Sequence, residues 1–339
     1  MISEYDISGN LIGTRKIDDT LFIVTSTYIP FYNEDIDVDD YLPYYSSNDD
    51  FEVAKYSDII YVEGTSPNAF TTFYAIDLET ELIDMEVILG DNGYNLYVSN
   101  DNMYLVGNIY YFIPMIEFVD VENPISETKT AIQKISINDA DLEYVATGVV
   151  SGYKLNQFSM DEYNGYLRIA TTTGWWGEDI NNRIYVLDEN LEEVGRIEKL
   201  GKPAETIRSV RFIGDYGYIV TFEQTDPLYT IDLSDPSNPE IISAIEEPGY
   251  STYLHVWDDN NHLIGFMNTT TSLLSLVLFA NNLKSALDLK ILKEKKLING
   301  KYLKLKILGS GEIKNNVEIS AHFASKTALT KIEKAGGKI

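Results

Sequence analysis

SGYKLNQFSMDEY (151–163), NGYLRIATTT (164–173), NNRIYVLDENL (181–191) and EEVGRIEKL (192–200) are followed at once by SVRFIGD (209–215), YGYIVTFE (216–223), DPLYTIDLSD (226–235) and EIISAIEEP (240–248). The two passes hold the same runs in the same order, each short, apolar and β-branched, and each bounded by Gly, Asp, Asn or Pro. Such runs read as strands, four to a unit. Each third run ends on an apolar residue followed by an acid, Leu187-Asp188 and then Ile231-Asp232, which sets the period at 44 residues.

A period in that range, built from four short strands, is the signature of a β-propeller blade. Upstream, EYDISGNLIG (4–13) reads as a third strand turning at Ser8-Gly9-Asn10 into another, and TLFIVTSTY (20–28), FTTFYAIDLE (70–79) and ELIDMEVILG (81–90) follow in an earlier unit, with Ile76-Asp77 at the third-strand place. Inside it, IPFYNEDIDVDDYLPYYSSNDDFE (29–52) fits neither the strand nor the helix period and is expected to be a long loop. DIIYVEG (58–64) is expected as a short strand within the insertion. GYNLYVSND (93–101), NMYLVGNIYYFI (102–113), KTAIQKISIND (129–139) and LEYVATGVV (142–150) form the next unit, with Ile137-Asn138 at the acid's place. Downstream, STYLHVWDDN (251–260) and NHLIGFMN (261–268) supply a first and a second strand, and no third strand of the Tyr-x-Ile-Asp type follows. The fold class is therefore mainly β: a partial β-propeller of four-stranded blades over 1–268, a junction at 269–282, and a small α/β C-terminal unit over 283–339.

Charge supports that division. The chain of 339 residues has a net charge of −27, yet residues 281–339 hold 13 lysines against 5 acids, while residues 1–280 hold 13 basic and 48 acidic groups. A segment at −35 repels nucleic acid and anionic membrane, whereas one at +8 is suited to approach a phosphate backbone. The expectation is two units that unfold separately. With no cysteine, disulfides, thiolate metal sites and Cys nucleophiles are excluded, and only His255, His262 and His322 remain for imidazole chemistry. MISEYDISGN has neither a basic nor an apolar signal region, and TSLLSLVLFA (271–280) is far shorter than the roughly 20 residues of a spanning helix. No secretory signal and no membrane span are expected.

In the tail, LKSALDLKILKEKKL (283–297) reads as helix, and KYLKLKILG (301–309) and NVEISAHF (316–323) as strands about the turn Ser310-Gly311. Ser325 stands as an N-cap before KTALTKIEKA, which places Ala328, Ile332 and Ala335 on one face and stops at Gly336-Gly337. Lys301, Lys304 and Lys306, at or near alternate positions, and Lys326 are candidate RNA contacts. A solvated helix face and strand is the plainer reading of those lysines.

Residues 155–177, 182–200, 209–241 and 251–266 give 1–268 a resemblance to the prokaryotic β-propeller domain family, secreted or membrane-anchored proteins distantly related to the WD-repeat families. That resemblance implies a secreted or cell-surface setting and brings no established catalytic motif, so no catalytic residue, no enzyme activity and no cofactor are expected. Residues 283–339 resemble the C-terminal half of bacterial large-subunit ribosomal protein L fifteen. The resemblance is carried by Lys306-Ile307-Leu308-Gly309-x-Gly311-x-Ile313, Val317-x-Ile319, Ala324-Ser325-x-x-Ala328, Ile332 and Gly336. It implies ribosomal RNA as partner and a cytoplasmic ribosome as setting.

Other candidates stand beside plain structural readings. Trp175 and Trp176, between Gly174 and Gly177, offer aromatic planes for a sugar or peptide, or else fill the gap between adjacent blades. NEDIDVDD (33–40) offers oxygen ligands but lacks the Gly and spaced Glu of a calcium loop, and reads as a solvated acidic loop. His255 and His262 have no third ligand of matching type. Ser159, Asp161 and Glu162 invite a hydrolase reading, but more simply prepare the Asn164-Gly165 hairpin turn. The chain is expected to be a non-catalytic module binding a peptide, glycan or protein, carrying a partial ribosomal-protein tail as in a gene fusion. The alternatives are a constituent of the large ribosomal subunit and an enzyme working through carboxylates.

Overall fold

The computed structural model describes residues 4–30, 37–47, 50–62, 67–90, 93–109, 128–174, 179–222, 226–247, 250–258, 262–268, 274–279, 290, 305–308, 318–321, 323–324 and 326–339. Two compact units divide the chain. The first is 1–157 with 161–168 and 187–194, and the second is 158–160, 169–186 and 195–339.

In the first unit the strands are β1 (Tyr5–Ile7), β2 (Asn10–Ile17), β3 (Thr20–Tyr28), β4 (Tyr44–Ser47), β5 (Asp50–Val53), β6 (Ile59–Tyr61), β7 (Ala69–Asp77) and β8 (Ile83–Gly90), then β9 (Asn95–Val98), β10 (Asn102–Ile109), β11 (Lys129–Asn138) and β12 (Asp141–Ser151). They form sheets of order β2-β3-β7-β8-β6 and β12-β11-β10-β9, and a small sheet β1-β4-β5. One apolar cluster joins the two larger sheets: Phe22, Val24, Phe73 and Ile88 pack with Leu96, Met103, Leu105 and Ile135. Residues two apart share a sheet face, and these side chains are the inward positions of their strands. Burial at that density is the main stabilising term of such a layer.

Next in the chain are β13 (Met160–Tyr163), β14 (Tyr166–Thr173), β15 (Asn181–Leu187) and β16 (Glu193–Leu200), in a four-stranded sheet that follows chain order. The second unit continues with β17 (Thr206–Ile213), β18 (Tyr216–Phe222), β19 (Asp226–Asp232) and β20 (Glu240–Glu247), antiparallel throughout. Last come β21 (Tyr250–Asp258), β22 (His262–Asn268), β23 (Leu274–Phe279), β24 (Leu305–Leu308), β25 (Phe323–Ala324) and the helix α1 (Lys326–Lys334). Val220, Leu228 and Leu254 form the apolar contact between the β17–β20 sheet and β21, and the Arg211 Nε–H donates to the Leu254 carbonyl at 2.8 Å. Gly195 is required by proximity, because a Cβ there would lie 2.2 Å from the Pro236 carbonyl oxygen.

The repeated apolar-acid pair has two separate jobs. Ile76, Leu187 and Ile231 are buried. The acid that follows turns the chain into the fourth strand: Asp77 accepts from the Glu79 amide at 2.8 Å, Asp188 from that of Asn190 at 2.9 Å, and Asp232 from that of Ser234 at 2.9 Å. This is the side-chain mimic of a backbone turn that Asp forms readily. Asn138 departs from the pattern for a geometric reason. Asn138 pairs directly with Asp141 across a two-residue turn in which Asp139 has φ of 54°, so no longer loop needs an acid to shape it. The Asn164-Gly165 turn is likewise left-handed at both residues, with φ of 52° and 82°, as a tight hairpin demands.

Three elements differ from the sequence reading. The 29–52 stretch is not simply a loop: among its described residues are a short 3-10 turn at Val38–Tyr41 and the hairpin β4–β5. That hairpin takes β1 as its third strand, with Ile7 opposite Tyr45, so β1 does not turn back onto β2. The Tyr74 hydroxyl donates to the Tyr44 carbonyl at 3.0 Å and fastens this small sheet to β7. Within the same insertion β6 forms as expected and pairs in parallel with β8. Beyond β22 a third strand does follow, β23, inside the junction segment, and it is of a different sequence type from Tyr-x-Ile-Asp. In the tail, α1 buries Ala328 and Ile332 and ends at Gly336, whose φ is 81°, with the Gly337 amide bonded to the Ile332 carbonyl at 2.8 Å.

Two substitutions separate the jobs of the repeated pair. Ile231→Ala is expected to lower stability by about 2–5 kcal/mol in urea unfolding, through the cavity it leaves. Asp232 is different. The hydroxyl and amide of Ser234 hold its carboxyl below the ordinary aspartate value, so its contribution is present above about pH 4 and fades as the pH falls through the lowered value. Asp232→Ala is therefore expected to weaken the protein at neutral pH and to match the parent in strong acid.

Candidate functional site

The turn from β16 to β17 is built from buried amides. Between Leu200 and Thr206 the chain reads GKPAE, and three of its neighbouring residues take left-handed backbone: Lys199 at φ 56°, Gly201 at φ 98° and Ala204 at φ 68°. Two of these are not glycine, so surrounding contacts must hold them there. Asn182, near the start of β15 and 1% exposed, supplies the clamp. Its Nδ2 donates to the Leu200 carbonyl and to the Glu205 carbonyl, both at 2.8 Å, so one amide ties the two ends of the turn together. Its Oδ1 accepts from the Thr172 hydroxyl at 2.8 Å. Asn181 helps from the adjacent position, accepting the Lys199 amide on Oδ1 at 2.8 Å.

Glu205, also buried, closes the turn from within: its Oε2 accepts the Lys202 amide at 2.9 Å and the Thr221 hydroxyl at 2.6 Å. Gly201 fits only as glycine. Beyond its φ, a Cβ would stand 3.1 Å from Glu205 Oε2 and 3.3 Å from Asn182 Nδ2, inside the clamp itself.

Against this turn lies a cavity of about 540 Å³, lined by residues 179–182 and 199–203. Its lining carries two lysines, Lys199 and Lys202, both exposed, against one acid, Asp179. That local balance departs from the rest of the acidic region. Of the 13 basic residues in 1–280, seven (Arg168, Arg183, Arg196, Lys199, Lys202, Arg208 and Arg211) fall between 168 and 211. A concave opening with a fixed loop and two ammonium groups is suited to hold an anionic group in place.

The residues singled out from sequence fall in several places. Trp175 and Trp176 lie outside the described residues. Lys301 and Lys304 also lie outside them. The backbone of Lys306 is in β24, and Lys326 is exposed as the first residue of α1. Asp161 and Glu162, candidates for hydrolase chemistry, are tied into β9 and β10. Asp161 pairs with Arg168 and accepts from the Tyr97 hydroxyl at 3.1 Å. Glu162 accepts from Ser99 Oγ at 2.5 Å and from Asn102 Nδ2 at 2.7 Å. Burial, with those two carboxylates beside it, pushes the Tyr97 hydroxyl up to about 12, so it serves as a neutral donor.

Of the NEDIDVDD run, Asp37 accepts the Asp39 amide and Asp39 accepts from the Tyr56 hydroxyl, while residues 33–36 lie outside the described set. His255 is opposite Ile264 and His262 opposite Asp258, so the two histidines are not cross-strand partners. Asn181, Asn182 and Glu205 drew no attention in the sequence. The available signal was the tandem Asn opening a strand after a Thr run, followed by a Gly-Lys-Pro turn. Among the described residues no helix is long and apolar enough to cross a membrane.

Comparison with known proteins follows the same division of the chain. The model of the β-propeller domain family matches residues 1–282, and that of the ribosomal proteins 50S-L15 and 50S-L18e with their 60S counterpart matches 271–339. An uncharacterized protein of Methanocaldococcus jannaschii is 47% identical over 152 residues, covering 44% of this chain and 24% of its own length. An uncharacterized protein of Archaeoglobus fulgidus is 51% identical over 135 residues, covering 40% of this chain and 20% of its own. The chain thus spans at most about a quarter of these relatives. Large ribosomal subunit protein uL15 of Pelagibacter ubique is 52% identical over 58 residues, which are 17% of this chain and 38% of that protein. With repeated four-stranded antiparallel sheets and a family match over most of its length, the chain belongs to the β-propeller domain family and carries a C-terminal segment similar to uL15.

Proposed function

We propose that the chain is a non-catalytic binding module whose cavity beside the 200–205 turn takes a carboxylate group of a peptide or glycan ligand. The observation that carries this reading is the pairing of Lys199 and Lys202 on a loop fixed from behind by Asn182 and Glu205. A loop held in its bound shape before the ligand arrives loses less entropy on binding than one that must be ordered. The surrounding acidity adds selectivity, since an anion is repelled wherever it does not meet those lysines. The non-catalytic part of the proposal draws support from Asp161 and Glu162, whose oxygens hold neighbouring strands together.

Calorimetric titration with oligogalacturonate and with a glutamate peptide, each beside its neutral counterpart, tests the proposal and separates the two sources of carboxylate. One acidic probe is expected to bind, with Lys199→Glu plus Lys202→Glu weakening it about tenfold or more, roughly 1.4 kcal/mol. Failure of both acidic probes, or binding indifferent to the charge reversal, would overturn the assignment. The clamp has its own test. Asn182→Ala withdraws two donors and one acceptor from buried groups and is expected to cost about 1–3 kcal/mol in urea unfolding, and to weaken binding of the same probe.

A second reading, contact between the tail and ribosomal RNA, draws support from the likeness to uL15 and from the exposed Lys326 and Lys334 on α1. RNA affinity falling steeply with salt would favour it, and RNA affinity that salt does not change would count against it.

A further inference from the structure

In the units described strand by strand, the fourth strand runs antiparallel to the third: β8 to β7, and β20 to β19. In the last sheet that place is taken differently. Strand β23 has β22 on one side, and on the other β24, which pairs in parallel with Leu274 opposite Leu305, Ser275 opposite Lys306, Leu276 opposite Ile307 and Val277 opposite Leu308. β24 is in turn covered by β25, also parallel, with Ile307 opposite Ala324. A parallel neighbour requires a return connection of about a dozen residues or more. Residues 280–304 provide it between Phe279 and Leu305, and residues 309–322 provide the second.

We infer that the edge of β23 that faces β24 is a strand-acceptor site and that its occupant is the chain's own segment around Leu305–Leu308, so that the uL15-like tail completes the last sheet of the propeller region. An uncovered edge strand exposes a row of amides and carbonyls that recruits another strand, from the same chain or another. LSLVLF (274–279) has no charge or proline to discourage pairing, and LKIL (305–308) answers it with three apolar residues of four. Opposite net charge alone does not explain the register, since exposed attraction is screened within about 10 Å at 0.1 M salt. The arrangement also bears on RNA: Lys306 sits on a strand bonded on both sides, so its segment is part of the sheet rather than a free basic arm.

The test uses the full chain with a protease site placed within 291–300. After cleavage, the C-terminal fragment is expected to co-elute with the remainder in gel filtration at both 0.1 M and 1 M NaCl. Successive amides on a strand face opposite neighbours, so Lys306→Pro together with Ile307→Pro removes one bond toward each side and is expected to release the fragment. Should that variant precipitate, the cleaved parent is challenged with excess peptide 301–309, and displacement of the fragment is the expected result. Release of the parent fragment at either salt, retention by the soluble double variant, or failure of the peptide to displace overturns the inference.

Discussion

A strand at the edge of a sheet leaves half of its backbone amides and carbonyls without a protein partner, and each buried one left unmet costs on the order of a hydrogen bond. That demand organises this chain more than any single side chain does. The sheets meet it mainly by antiparallel pairing and bury their faces against one another, as Phe22, Phe73 and Met103 do in the first unit and Val220, Leu228 and Leu254 in the second. Where the regular pattern ends, the demand persists. The backbone of β23 meets it with β24, a strand drawn from a segment of different composition and different kinship.

Several polar side chains among the described residues serve to turn the chain. Asp77, Asp188 and Asp232 each fold a third strand into a fourth, and the same principle, enlarged, gives the 200–205 turn. There a single carboxamide, Asn182, reaches two carbonyls that are 18 and 23 residues away, while Asn181 holds the Lys199 amide, in a turn with left-handed backbone at Lys199 and Ala204. A turn so fixed leaves a concavity at its side, and the two lysines on it stand out against the acidic surface. Structure and proposed binding therefore share their cause: the residues that satisfy the backbone also shape the opening.

The four-strand unit was legible in the sequence because its signal is local. Apolar alternation, the Asn164-Gly165 turn and the apolar-acid pair all act within a few residues of where they are written. The β4–β5 hairpin was not legible, since its strands are four residues each and its third strand, β1, is about 40 residues upstream. Asn182 escaped notice for a similar reason: its partners are main-chain carbonyls, which carry no sequence identity. The residues of β23 were visible as an apolar run, but nothing in LSLVLF specifies a parallel neighbour. The charge divide near residue 280 separates two compositions, yet one sheet spans it, because backbone pairing is indifferent to the net charge of the segments it joins.

The account depends most on that shared sheet. Native-state hydrogen exchange on the full chain reads it directly, through the amides of Leu274–Val277, the residues that lie opposite β24. If β24 covers β23, those amides exchange as slowly as the interior strand β18, Tyr216–Phe222, because both have neighbours on two sides. Alternate amides of Leu274–Val277 exchanging at the rate of an exposed edge, while Tyr216–Phe222 stays protected, would contradict it.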